Sequence, residues 1–174
     1  MIKILNPIQT TWLDYPDNES LAIIVCMIGC DNCCKGCQNL ELKDYNYTKN
    51  VKIYENDEFI EELRKVALKN RTNKIVLSGG DPLSCFNINA TKYILEKCGS
   101  EFDFCIYSGH NIDYVKNNNI KGFKFVKCGY FNISSFRKSE KTDDYIQFAS
   151  PNQTLYNENY KPISENGIYY FNKS

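Results

Sequence analysis

The sequence has one histidine, one tryptophan, two methionines and no net charge, its 21 Lys and Arg residues being balanced by 21 Asp and Glu. Without a basic excess nothing in the bulk charge favours nucleic acid as a partner. No apolar run approaches the ~18 residues of a membrane span, and Met1 to Pro7 holds no signal-peptide core, so neither membrane insertion nor secretion is expected. There is no internal repeat and no flexible linker, and residues 1–174 read as one domain. A closed eight-stranded barrel needs about 250 residues, more than this chain has.

Cysteine, by contrast, is abundant, with nine residues. An odd number cannot pair completely, and without a secretory signal the expected compartment is the reducing cytoplasm, where clustered thiols are ligands or redox groups. Cys85, Cys98, Cys105 and Cys128 stand alone and read as small core residues. The other five crowd into residues 26–37.

Cys30, Cys34 and Cys37 have C-x3-C-x2-C spacing directly after the apolar run Leu21 to Val25. A structural zinc site wants four ligands, usually two separated pairs, and no second C-x2-C pair or nearby histidine is available. Soft thiolates select zinc, copper(I) or iron–sulfur, and a compact run of this kind suits a 4Fe–4S cluster with three protein ligands and one iron left open. Cys26, Cys30 and Cys33 satisfy the same spacing four residues earlier. The later register is preferred because Cys26 continues a strand whose geometry would carry its sulfur along the sheet, and because Gly29 and Gly36 flank the later set where a loop must curl.

The chain alternates strand-like and helix-like segments. Residues 1–20 form a leader with an edge strand and turn, Leu21 to Cys26 a strand, residues 40–55 an unassigned polar stretch, and Asn56 or Asp57 caps a helix to about Lys69. Strands are expected at Lys74 to Ser78, Phe102 to Tyr107 and Gly122 to Cys128, and helices at Asn87 to Cys98, closed by Gly99, and Ile112 to Asn118. Such units give parallel strands with crossover helices. Beyond Tyr130 the pattern dissolves, with Asn166-Gly167 as the turn of a hairpin joining Tyr160 to Ile163 with Ile168 to Phe171. The cysteine loop, Gly79-Gly80-Asp81, Ser108 and Cys128-Gly129 all follow strands, at the rim where ligands gather in parallel sheets.

The cysteine loop, Leu77-Ser78-Gly79-Gly80-Asp81-Pro82-Leu83, Tyr107-Ser108-Gly109 and Ser150-Pro151-Asn152-Gln153 occur in the order found in the activating proteins of anaerobic ribonucleotide reductase. In these motifs the chain resembles that branch of the radical S-adenosylmethionine (SAM) superfamily. It departs from the pattern at Gln38, Cys128 and Thr154, where the family often has an aromatic or histidine, Asp and Arg. The resemblance implies an α/β fold, a reduced partial (β/α) barrel with mainly parallel strands. It implies that Cys30, Cys34 and Cys37 hold the cluster and that Asn39, Gly79, Gly80, Asp81 and Ser108 contact SAM. No protein side chain is then the catalyst, since a deoxyadenosyl radical derived from the cofactor takes hydrogen from a glycine of the reductase's catalytic subunit. A donor such as flavodoxin supplies the electron. The small size leaves little room for a lid, which suits a substrate that is another protein's loop. The neighbouring branches, pyruvate formate-lyase activase and 7-carboxy-7-deazaguanine synthase, and a non-catalytic zinc or redox module remain the alternatives.

Overall fold

The computed structural model of the chain describes residues 1–18 and 21–171, and the leader positions 19 and 20 fall outside them. In chain order the elements are β1 (Ile2–Leu5), β2 (Gln9–Thr11), β3 (Ala22–Met27), α1 (Leu40–Lys43), β4 (Val51–Tyr54), α2 (Asn56–Asn70), β5 (Lys74–Gly79) and α3 (Ile88–Cys98). After these come β6 (Asp103–Tyr107), α4 (Ile112–Asn117), β7 (Phe125–Cys128), a 3-10 turn (Ile133–Ser135), β8 (Glu140–Lys141), β9 (Tyr145–Gln147), β10 (Thr154–Asn157) and β11 (Ile168–Tyr170).

β3, β5, β6 and β7 are parallel neighbours, as their apolar runs and the intervening helices predict. The central sheet is thus mainly parallel, as expected, and antiparallel strands β1, β2, β4 and β10 flank it, in the order β10-β7-β6-β5-β3-β1-β4 with β2 also on β3. β10 and β4 stand at opposite ends, so the sheet is open. β1 is an inner strand, not an edge, because β4, out of the unassigned stretch, pairs on its far side.

Alternation along each parallel strand divides two faces. Ile23, Val25, Ile75, Leu77, Phe104 and Ile106 pack on Phe59, Ile60 and Leu63 of α2, Ile94 and Leu95 of α3 and Val115 of α4. The opposite, concave face carries Ala22, Val76 and Cys105, covered by Tyr15 of the leader. A second sheet, β11-β9-β8, closes part of this face through Ile146 and Phe148, which pack with Leu155 against Tyr107 and Phe125. This wall is built from the segment whose pattern dissolves in the sequence. The Asn166-Gly167 turn does form, with Glu165 and Ile168 exchanging bonds of 2.9 and 3.0 Å. β11 then pairs with β9 and not with residues 160–163.

Candidate functional site

The loop between β3 and α1 is tied down at its start. The N–H groups of Gly29 and Cys30 donate to the carbonyls of Leu42 and Lys43, at 2.8 and 3.1 Å, so α1 anchors the loop it ends. Gly29 O accepts from Asp81 N–H at 2.9 Å and Asn87 Nδ2 at 3.1 Å, which joins the cysteine loop to the turn after β5. That turn has no room for side chains: a Cβ on Gly80 would lie 2.4 Å from Gly29 O and 2.7 Å from Leu42 O. One on Gly79, where φ is +107°, would lie 2.5 Å from Met27 N and O. The glycines therefore let two backbones meet beneath the site.

A cavity of about 420 Å³ opens at this rim. Cys30, Cys34 and Cys37 line it, together with Asn39, Gly79, Gly80, Asp81 and Ser108, so every candidate site residue lies on one cavity. Cys33 lines an adjoining groove with Tyr130 and Ile133, which shares Cys34 with the main cavity. Cys26 shares the main cavity, and its side chain faces the concave side instead of running along the sheet. Among the described residues no three His, Cys, Asp or Glu side chains close on a single metal ion. Soft thiolate donors such as Cys30, Cys34 and Cys37, which share the cavity wall, suit iron–sulfur. Burial pushes the Cys30 thiol up, opposed by the N–H and Nδ2 of Asn32, 3.4 and 3.6 Å from its sulfur.

Asp81 is buried and its carboxylate faces inward. Oδ1 accepts from Leu83 N–H at 2.8 Å, while Oδ2 accepts from Asn32 Nδ2 at 2.7 Å, Gly109 N–H at 2.8 Å and Ser108 Oγ at 3.0 Å. Burial raises its pKa against these donors. Ser108 is not the cap of α4, which is Asn111, accepting from Tyr114 N–H at 2.9 Å. Asn39 Nδ2 reaches the Gly79 carbonyl at 3.1 Å.

Other participants escape the sequence. Asp31, inside the cysteine loop, accepts from Cys85 N–H at 2.8 Å and lies 3.3 Å from His110 Nε2, whose ring stacks on Tyr114 at 3.9 Å. Burial would raise the Asp31 pKa, but the Cys85 bond and His110 hold it below the usual value. Cys98, Cys105 and Cys128 are core thiols as read, Cys128 pushed up to about 12 by burial, whereas Cys85 is exposed. Gln153 turns inward, its Oε1 accepting from Ser150 N–H at 3.2 Å, and lines the cavity. Lys127 also lines it, and a lysine inside an apolar strand was the signal available for it.

No helix among the described residues is long and apolar enough to cross a membrane. No curated protein matches the chain. Among solved structures it is similar to QueE from Escherichia coli, at 16% identity and a TM-score of 0.45, over 63% of this chain and 53% of that one, hence about half of that protein's length. The family model described as a 4Fe-4S single cluster domain matches residues 19–156. That span holds the cysteine loop, the glycine turn and all four parallel strands, and the chain belongs to the 4Fe-4S single cluster domain family.

Proposed function

We propose that the chain is a radical SAM enzyme and, more narrowly, the activase that generates a glycyl radical on the catalytic subunit of anaerobic ribonucleotide reductase. The observation that carries the reading is the meeting of Cys30, Cys34 and Cys37 with the Gly79-Gly80-Asp81 turn on one cavity. The three cysteines would hold a 4Fe–4S cluster and leave one iron for SAM. When bound, the cluster supplies a single electron that breaks the sulfonium S–C5′ bond of SAM.

The rest falls to the chain's own residues. Gly79 and Gly80 present bare backbone to the cofactor's amino-acid end, and Asn39 holds the Gly79 carbonyl in place at 3.1 Å. Asp81 and Ser108 act from behind, fixing Asn32 and Gly109 at the cavity wall. Phe131 and Phe148 line the opening and keep water from the reacting carbon. The partner's glycine loop would enter above them, and a cytoplasmic donor such as flavodoxin would reduce the cluster.

A small deazapurine-type substrate is the second reading, favoured by the wall that β8 and β9 add to the cavity. Anaerobic mixing with reductant, SAM and the reductase separates the two. The activase reading expects the electron paramagnetic resonance doublet of a glycyl radical on the partner. Deoxyadenosine without a protein radical, with turnover of a small deazapurine, supports the other.

A further inference from the structure

Asn32 lies against the first thiol of the cysteine loop. Its backbone N–H and its Nδ2 stand 3.4 and 3.6 Å from Cys30 Sγ, so a main-chain and a side-chain donor reach one sulfur acceptor.

The carboxamide is held in this orientation from two sides. Nδ2 also donates to Asp81 Oδ2 at 2.7 Å, so one of its two hydrogens serves the carboxylate and the other is left for the sulfur. Both neighbours are acceptors, and turning the amide over would set Oδ1 against a carboxylate and a sulfur. From another side the group rests on Gly109: the three atoms nearest to a Cβ placed there are Nδ2, Cγ and Oδ1 of Asn32, at 2.7, 2.8 and 3.1 Å. Asp81 is itself fixed by Leu83 N–H, Ser108 Oγ and Gly109 N–H, so the amide is braced by the turns after β5 and β6.

The surroundings of the sulfur give that bracing a use. Besides burial, the carboxylates of Asp81 and Asp31 disfavour negative charge on Cys30, whereas the two donors of Asn32 favour it. A thiolate ligand carries more negative charge once its cluster has gained an electron, and hydrogen bonds to the sulfurs are among the features that set the potential of iron–sulfur centres.

We propose that Asn32 is a positioning residue that raises the reduction potential of the cluster held by Cys30, its amide aimed at the sulfur by Asp81 and Gly109. The inference rests on the cluster of the proposed function, and the electron comes from an external one-electron reductant.

A redox titration of the anaerobically reconstituted protein, followed by the electron paramagnetic resonance signal of the reduced cluster, tests it in wild type, Asn32→Leu and Gly109→Ala. Leu is close to Asn in size and removes the amide. Ala at position 109 keeps Asn32 but pushes its carboxamide off the sulfur, at a backbone whose φ lies outside the left-handed region and suits alanine. At an applied potential equal to the wild-type midpoint, the ratio of reduced to oxidised cluster should fall about twofold to tenfold in both variants, with iron and sulfide as in wild type. Tenfold is a shift of about 59 mV for a one-electron couple. Equal midpoints in the three proteins overturn the proposal, and so does loss of the cluster from both variants, which makes Asn32 a structural part of the loop alone. A wild type that takes up no cluster contradicts the proposed function and this inference together, whereas equal midpoints beside a wild type that cleaves SAM overturn this inference alone.

Discussion

Asp81 shows how a residue picked out by its place in a motif can act through its neighbours. Its carboxylate joins the cysteine loop to the Ser108-Gly109 turn, so Asp81→Ala strands Asn32, Gly109 and Leu83 donors in a buried place. A loss of about 3 kcal/mol in denaturant unfolding is expected, with reduced iron uptake on reconstitution. Unfolding unchanged from wild type would remove the brace. Those partners could not be read beforehand, since Asn32 and Gly109 lie 49 and 28 positions away and only the folded chain brings them near. The cysteine spacing, by contrast, is a local property and was readable. Lys127 offers a pH test: its folded pKa of about 8 lies below the 10.5 of a free lysine, so between these values the unfolded chain binds more protons and unfolding free energy rises with pH. Wild type should gain stability over Lys127→Met as pH rises from about 8 to about 10.5, with no pH-dependent difference below that window.

Helix α2 and the four parallel strands announce themselves by period and by continuous apolar runs, and their boundaries fall within a residue of expectation except at the start of β7, which begins at Phe125 and not at Gly122. α1 does not, because four residues with only Leu42 buried have no period to detect, yet it anchors the cysteine loop. β2 has no buried residue and β8 only two residues, so the antiparallel flank and the second sheet are set by tertiary pairing and not by pattern. Where elements meet, space decides. Gly80→Ala must push Gly29 and Leu42 apart, and a destabilisation of roughly 1–3 kcal/mol is expected by chemical denaturation. At the end of α2, Arg71 is held at φ 52° as C-cap, so Arg71→Gly should raise stability by about 0.5–1 kcal/mol without altering iron content. A lower midpoint would mean that the arginine side chain stabilises more than its backbone strain costs.

Taken whole, the molecule is an open sheet with helices on one face and, on the other, a cavity lined in part by the leader, the second small sheet and three thiols of the cysteine loop. Chemistry at such a site depends on whether those thiols hold a cluster with one iron free. The direct test is anaerobic reconstitution of wild type and single cysteine variants, with iron and sulfide assayed beside deoxyadenosine release from SAM under reduction. Wild type, Cys26→Ala and Cys33→Ala should carry about four irons and four sulfides, and wild type should cleave SAM, whereas Cys30→Ala, Cys34→Ala and Cys37→Ala should lose cluster and cleavage together. A colourless wild type that takes up zinc alone, or retention of the cluster in Cys37→Ala with loss in Cys26→Ala, would contradict the account.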